Sequence, residues 1–180
     1  LEFRRVLFRS LDVLIRARAA MQEALIGAWS ARTENLPLTE PYEALILASI
    51  VEKETGVASE RPEIAGVFTR RLALGMRLQT DPTVIYGLDT EFDGNLTRRH
   101  LRDDNNQFNT YRIAGLPPTP IALPGKEAIV ASLNPKDGEA LYFVAKGDGS
   151  HAFSRTLSEH EENVRRYQLK RRKDYRSSPK

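Results

Sequence analysis

Residues 39–56, TEPYEALILASIVEKETG, decide the fold of this chain because they combine an apolar helix with a charged end. Thr39 stands where an N-cap is expected, Pro41 falls in the first turn, and Gly56 follows as a stop. The stretch therefore predicts a helix over residues 41–55. Since apolar side chains surround nearly its whole axis, this helix is expected to be central and buried.

Two glutamates, Glu52 and Glu54, lie at the end of this apolar helix. Ile50 and Val51 are one turn before Glu54, so its carboxyl belongs to the apolar stripe, and apolar surroundings raise the pKa of a carboxyl. A raised pKa suits a general acid that works near neutral pH. The alternative is a helix end with solvated charges, at which Lys53 neutralises its neighbours.

The rest of the chain predicts further helices and one small sheet, so the expected fold class is α+β, without alternating strand–helix units. Residues 76–124 are polar and rich in turn-forming residues, and a long irregular stretch of this kind is more often functional than idle. We expect it to supply cleft-lining loops. The predicted elements are helices over 11–32, from 60 or 61 to 74 with Ser59 as N-cap, over 81–86 and 125–133, and from the N-cap Ser158 to about 172, and a hairpin of strands 141–145 and 152–155.

Charge and composition argue against several classes of protein. The 180 residues carry a net charge of +3, but residues 170–180 carry +5 and residues 1–10 carry +2, which leaves −4 on residues 11–169. A nucleic-acid-binding fold is expected to have a basic face within its body, so we expect no nucleic-acid partner. The absence of cysteine excludes disulfides and a thiol nucleophile, and the three histidines show no metal-ligand spacing. We expect neither a metal nor a cofactor.

Several sequence blocks in a fixed order resemble those of a known family. They are EALILASIVEKETG at 43–56, IAGVF at 64–68, GMRLQTDPTVIYG at 75–87, NTY at 109–111 with GLPPTPI at 115–121, and LYFVA at 141–145 with the pair His151 and Phe153. In this order they resemble the YceG-like family of endolytic murein transglycosylases, over about residues 38–167.

The resemblance implies cleavage of the β-1,4 bond between N-acetylmuramic acid and N-acetylglucosamine in peptidoglycan, without water. One glutamic acid protonates the glycosidic oxygen and then accepts the proton of the muramyl C6 hydroxyl, which closes a 1,6-anhydro ring. Glycosidases that use water usually need two carboxylates. The family pattern, a glutamate before a hydroxyl residue at a helix end, favours Glu54 with Thr55 as the catalytic position, and Glu52 is its rival.

Other side chains in the matching blocks offer amides, hydroxyls, a carboxylate and aromatic rings to a sugar. For Asp81, an N-cap before Pro82 is an equally good interpretation. For Asn109 and Tyr111 the alternative is turn-making and packing. His151 is expected either to line the cleft or to lie on the surface of the hairpin. The predicted substrate-binding residues are Glu52, Thr55, Gln79, Thr80, Asp81, Tyr86, Asn109, Tyr111 and His151.

The resemblance also bears on domains, partners and location. Residues 1–10 are interpreted as a foreign or artefactual segment, 11–37 as a lead-in helix and linker, 38–169 as the catalytic domain and 170–180 as a basic tail. The implied partners are peptidoglycan glycan strands and peptidoglycan synthases. Membrane contact is expected only through an N-terminal helix that this chain lacks, so the parent protein would face the periplasm or the outside from the plasma membrane, and the fragment would be soluble.

Two other functions stay open from the sequence. The first is a hydrolytic muramidase that uses the same cleft, in which Asp81 positions the attacking water. The second is a non-catalytic module that binds glycan or a synthase, in which Glu54 is only structural.

Overall fold

The computed structural model of the chain describes residues 2–169, and the side chains of residues 11–169. The strands β1 (Tyr142–Ala145) and β2 (His151–Ser154) form a two-stranded antiparallel sheet. The helices are α1 (Glu2–Ser30), α2 (Pro41–Glu54), α3 (Arg61–Ala73), α4 (Asp81–Leu88), α5 (Arg98–Leu101), α6 (Lys126–Leu133) and α7 (Leu157–Val164), with a π-helical turn, Arg165–Leu169, after α7. This helical body with one small hairpin confirms the predicted α+β class.

Helix α2 lies at the centre of the core, as its sequence predicts. Leu47, Ala48, Ile50 and Val51 have no exposed surface, and the helix packs against α1, α3 and α6. Burial of a leucine, isoleucine or valine side chain contributes about 1.5–3 kcal/mol. Because α2 is held on three sides, the position of Glu54 at its C-terminal end is fixed by the core.

Helix α1 begins at Glu2, before the predicted start at residue 11. Among the described side chains of α1, those that pack on the core lie in its second half, Leu25 and Trp29 among them. Leu11 and Leu14, which the helical pattern places on the buried stripe, are 54% and 65% exposed. Within residues 2–169, no helix is long and apolar enough to span a bilayer.

The N-caps predicted for α2 and α3 are wrong. Glu40 precedes α2 without a capping side-chain bond. Thr39 instead donates its hydroxyl hydrogen bond to the Glu43 carboxylate at 2.9 Å. Helix α3 begins directly after the 3-10 turn Ala58–Glu60, so Ser59 lies inside that turn and caps nothing.

The N-cap predicted for α7 is also wrong. Thr156 takes this position, since its hydroxyl accepts the N–H of Glu159 at 3.2 Å in a capping box, and Ser158 lies within the helix. The predicted continuation of this helix beyond residue 169, and the basic tail, lie outside the described residues.

The hairpin and the irregular region agree with the sequence pattern. Phe143 pairs with Phe153 across the sheet. The Phe143 ring also packs edge-on against Phe68 of α3, with ring centroids 5.7 Å apart. This contact fixes the hairpin beside the C-terminal end of α2. Helix α4 interrupts the irregular region, where it continues past the predicted end at Tyr86 to Leu88.

Candidate active site

A cleft of about 420 Å³ lies at the C-terminal end of α2. One wall is the turn that enters α4, and the opposite wall is β1 with α7. The cleft brings together five of the residues that the sequence singles out. These are Glu54, Gln79, Thr80, Asp81 and Tyr111.

Glu54 is the last residue of α2, and its carboxylate accepts a hydrogen bond from the hydroxyl of Thr80. Burial raises the pKa of Glu54 from its ordinary value of 4.5 to about 7. The hydrogen bond from Thr80 opposes this rise, and the negative charge of Asp81 adds to it. A carboxyl with this pKa can both donate and accept a proton near neutral pH.

A buried network of threonines fixes Thr80 in front of Glu54. The N–H of Thr80 donates to the hydroxyl of Thr110 at 3.0 Å, and the hydroxyl of Thr83 donates to the carbonyl of Thr80 at 2.8 Å. The hydroxyls of Thr83 and Thr110 are themselves 2.8 Å apart. All three threonines are buried, so Thr80 has little freedom to turn away from Glu54.

Gln79 has a left-handed backbone conformation, with φ of 52°. This region is uncommon for a residue with a side chain, and such positions concentrate at functional sites. The N–H of Gln79 donates to the carbonyl of Thr110 at 3.2 Å, which ties the turn to the same network. The turn leaves the Gln79 side chain in the cleft and Thr80 against Glu54.

Asp81 and Tyr111 form a hydrogen-bonded pair beside Glu54. The phenol of Tyr111 donates to Asp81 Oδ1 at 2.7 Å. Burial raises the pKa of Tyr111 above its ordinary range, and the hydrogen bond and charge of Asp81 raise it further. Thr80 precedes α4, so Asp81 is inside the helix and its interpretation as an N-cap is wrong.

Arg71 lines the cleft and is missed by the sequence analysis. Its side chain is buried, and its Nε donates to the carbonyl of Leu141 at 2.6 Å. Its Nη1 donates to the carbonyl of Leu78 at 2.8 Å. The guanidinium also lies 5.0 Å from the ring centre of Tyr142. Arg71 thereby joins α3, the turn before α4 and β1, and its desolvation lowers its pKa.

His160 and Tyr142 are further cleft residues that the sequence does not reveal. Their rings are stacked with centroids 5.3 Å apart. Burial lowers the pKa of His160, which favours a neutral ring against the hairpin. Only the packing of α7 on β1 brings the two rings together, so no local pattern signals the contact.

Glu52, the rival of Glu54, does not line this cleft. Its carboxylate accepts the N–H of Gly125 at 3.1 Å and lies 3.6 Å from the guanidinium of Arg61. These contacts tie the end of α2 to the starts of α6 and α3. The structure therefore gives Glu52 a connecting position rather than a place beside Glu54.

Asn109 is fully buried and makes turn contacts instead of lining the cleft. Its amide nitrogen donates to the carbonyls of His100, Leu101 and Asp103 at 3.2, 3.3 and 2.9 Å. Its Oδ1 accepts the N–H of Tyr111 at 3.1 Å. The turn-making interpretation describes Asn109 well, and its effect is to present Tyr111 to Asp81.

Thr55 and His151 also lie outside the lining of the cleft and share the partner Glu60. The carboxylate of Glu60 accepts the N–H of His151 at 3.0 Å and lies 2.8 Å from its Nδ1. The hydroxyl of Thr55 donates to Glu60 at 3.4 Å. The side chain of His151 is 9% exposed, so it does not lie on the surface of the hairpin.

Tyr86 is outside the cleft lining too. Its ring is 45% exposed and packs edge-on against Phe108 with centroids 4.8 Å apart. Within the part of the chain that the structure describes, no group of three or more histidine and carboxylate side chains has the arrangement of a metal site.

The chain is similar in sequence to a known protein family and to curated relatives. The model of the YceG-like family matches residues 9–166. An endolytic murein transglycosylase of Bacillus subtilis (strain 168) is 34% identical over 158 residues, which are 88% of this chain and 43% of that protein. An endolytic murein transglycosylase of Streptococcus pneumoniae serotype 2 (strain D39 / NCTC 7466) is 32% identical over 151 residues, which are 81% of this chain and 27% of that protein.

A solved structure is similar as well. The crystal structure of a yceG-like protein from Listeria monocytogenes has a TM-score of 0.63 and 42% sequence identity, and the match covers 68% of this chain and 39% of that chain. The chain thus spans less than half the length of each of these relatives.

Proposed function

The chain belongs to the YceG-like family, and we propose that it is the catalytic part of an endolytic peptidoglycan lytic transglycosylase. The observation that carries the proposal is the carboxyl of Glu54, which burial in a cleft brings to a pKa of about 7. The names of the relatives, endolytic murein transglycosylase, support glycan strands of peptidoglycan as the substrate. The bond cut is the β-1,4 bond from N-acetylmuramic acid to N-acetylglucosamine.

In the first step, protonated Glu54 gives its proton to the glycosidic oxygen. The bond from this oxygen to C1 of the muramyl sugar breaks, and the N-acetylglucosamine side leaves with a free C4 hydroxyl. Positive charge develops on C1 and the ring oxygen. The same burial that raises the pKa of Glu54 keeps about half of the molecules protonated at about pH 7, so the acid is available where an ordinary glutamate would be ionised.

In the second step, the C6 hydroxyl of the same muramyl sugar attacks C1. Its oxygen forms the 1,6-anhydro bond, and its proton passes to the carboxylate of Glu54. The carboxyl is protonated again at the end, so one residue serves as acid and then as base, and no water is consumed. A carboxyl with a pKa near the working pH performs both transfers with similar ease.

The neighbours of Glu54 supply orientation and charge. The hydroxyl of Thr80 holds one carboxylate oxygen, which sets the direction in which the proton is delivered. Asp81 brings a negative charge to the side of the cleft where positive charge develops on the sugar, and such charge stabilises an oxocarbenium-like transition state. Tyr111 holds Asp81 by its hydrogen bond. Gln79 offers an amide to the acetamido and hydroxyl groups of the sugars.

A hydrolytic muramidase is the second candidate, and the presence of Asp81 in the same cleft as Glu54 favours it. Asp81 would then orient a water molecule toward C1. The bond from Tyr111 to Asp81 Oδ1 occupies one carboxylate oxygen, and Glu54 needs no second carboxylate when the nucleophile belongs to the substrate. For these reasons we rank the intramolecular reaction first.

The partners and the location of the parent protein remain predictions. Peptidoglycan synthases, anchoring in the plasma membrane and exposure to the periplasm or the outside derive from the family resemblance. The domain boundaries, with a catalytic domain over residues 38–169, are predictions from the same resemblance.

The chemistry of the new chain ends tests the proposal. Purified peptidoglycan is incubated with the 180-residue chain, treated with borohydride and analysed by mass spectrometry. Anhydromuramyl ends are lighter by one water and do not react with borohydride, whereas reducing ends gain two hydrogens. Internal fragments with anhydro ends are the expected result. Reducible ends would identify a hydrolase, and intact strands in the presence of folded protein would favour the non-catalytic module.

A further inference from the structure

A second and larger cleft, of about 740 Å³, lies between the C-terminal end of α4 and helix α5. Arg98, Arg99 and Arg102 line it, and all three side chains are exposed. None of the three makes an ion pair with any residue that the structure describes. Three guanidinium groups that have no ion-pair partner among the described residues surround one concave surface, and such groups are suited to binding carboxylates or phosphates.

The lining of this arginine cleft is of mixed charge. Glu91 and Asp103 line it together with the arginines. One oxygen of Asp103 accepts the N–H of Asn105 at 2.9 Å, while Glu91 is exposed and makes no ion pair with the described residues. A polyanion would meet repulsion from these two carboxylates. A ligand that combines carboxylates with an ammonium group matches both kinds of lining group.

Helix α4 connects the arginine cleft to the catalytic cleft. Asp81 lines the catalytic cleft and Leu88 lines the arginine cleft. The two residues are seven positions apart, close to two turns, so they project from the same face of α4 at a spacing of about 10 Å along the axis. A polymer strand whose scissile bond lies at Glu54 can therefore place a side group in the arginine cleft, if that group is attached a short distance along the strand.

Asn109 keeps the two clefts at a fixed separation. It binds backbone carbonyls of the segment that carries the arginines, those of His100 and Asp103 among them. Its Oδ1 holds the backbone of Tyr111, which lines the catalytic cleft. Since Asn109 is fully buried, the connection between the clefts is part of the packed structure.

We propose that the arginine cleft binds the stem peptide on a muramyl sugar next to the scissile bond. This inference rests on the proposed function, because a glycan strand must occupy the catalytic cleft. Stem peptides carry several carboxylates and the amino group of a diamino acid. The arginines pair with the carboxylates, and Glu91 faces the ammonium. The cleft thus makes the enzyme prefer strands that still bear peptides.

The test compares two probes on the full chain. One probe is a soluble glycan strand with its stem peptides, and the other is the same strand after an amidase has removed them. Dissociation constants are measured by titration in a Glu54→Gln background, so that the strands stay intact. The test variant replaces the three arginines by glutamine, as Arg98→Gln, Arg99→Gln and Arg102→Gln together.

A charge-matched control separates the cleft from general electrostatics. Arg16→Gln, Arg18→Gln and Lys126→Gln together remove the same charge from exposed positions outside the cleft. We expect the cleft variant to bind peptide-bearing strands about tenfold more weakly and peptide-free strands unchanged, as for a few solvent-accessible charge pairs. The control variant should bind both probes like the parent, and replacing the three cleft arginines by lysine should restore most of the affinity.

Three results would overturn the inference. They are equal weakening of both probes in the cleft variant, no weakening of either in a folded variant, and displacement of peptide-bearing strands by inorganic polyphosphate more readily than by free stem peptide. Cleavage is assayed separately on the chain with Glu54 intact. Cleavage without peptide-dependent binding contradicts the inference alone, whereas peptide-dependent binding without any cleavage contradicts the proposed function alone.

Discussion

Replacing Glu54 by glutamine is expected to make the free energy of unfolding less sensitive to rising pH. The pKa of Glu54 is about 7 in the folded chain, against an ordinary value of 4.5. The folded protein therefore binds this proton more tightly than the unfolded chain does. Between about pH 4.5 and pH 7 the folded state holds more protons, so the free energy of unfolding falls as the pH rises. Below about pH 4.5 the effect is absent, and above about pH 7 it is complete.

The size of the effect follows from the two pKa values. A difference of about 2.5 units at about 1.36 kcal/mol per unit corresponds to about 3 kcal/mol. Glutamine has nearly the same shape as glutamate and cannot ionise, so the variant does not lose this stability as the pH rises. The Glu54→Gln variant should match the wild type near pH 4.5 and become more stable by up to about 3 kcal/mol at about pH 8.

Denaturant unfolding followed by circular dichroism, at about pH 5, 6, 7 and 8, measures this difference. Groups other than Glu54 titrate in both proteins and cancel in the subtraction. Glu52→Gln is the matched control, because it makes the same change two residues away, outside the cleft, and its difference from the wild type should not show this rise across the range. A Glu54→Gln difference that stays constant with pH, or that shrinks as the pH rises, would refute the argument that burial holds the proton on Glu54.

Four further substitutions test the residues around Glu54 and the contacts that hold them in place. Since Asp81 raises the pKa of Glu54 and Thr80 lowers it, Asp81→Asn should move the alkaline limb of the pH–rate profile for glycan cleavage to lower pH, and Thr80→Val should move it to higher pH. Shifts of the same sign in the two variants would contradict this electrostatic account. Glu60→Ala removes an acceptor that the end of α2 and the hairpin share. We expect the free energy of unfolding, measured with denaturant, to fall by about 1–3 kcal/mol. Unchanged stability would mean that these bonds do not hold the hairpin. Asn109→Ala removes the side-chain donor to the carbonyls of His100, Leu101 and Asp103, so the thermal midpoint should fall by several degrees. An unchanged midpoint would show that the turn forms without Asn109.

Helix α2 was predictable because its signals are local. The apolar run, Pro41 in the first turn and Gly56 after the end are all contained in eighteen consecutive residues. The placement of Glu54 on the apolar stripe followed from helical spacing alone, and so did the direction of its pKa. The hairpin was predictable for a similar reason, since a glycine-containing turn separates two short apolar strands.

The surroundings of Glu54 depend on long-range contacts that spacing does not contain. Thr80 reaches Glu54 only because Thr110 fixes the turn before α4. Arg71 is buried because carbonyls from distant segments accept the hydrogen bonds of its guanidinium. The sequence of α3 does not indicate these partners. The predicted N-caps failed for a local reason. In α7 Thr156 takes the cap position instead of Ser158, whereas α2 and α3 follow Glu40 and Glu60, which make no capping side-chain bond.

The most direct test of the central claim compares wild type, Glu54→Gln and Glu52→Gln in the peptidoglycan cleavage assay, with products identified by mass spectrometry. All three proteins are first shown to be folded by circular dichroism. We expect anhydromuramyl ends from the wild type and from Glu52→Gln, and at least a hundredfold fewer from Glu54→Gln, as for the loss of a general acid. Anhydromuramyl ends that persist in Glu54→Gln and disappear in Glu52→Gln would contradict the assignment of Glu54 as the general acid.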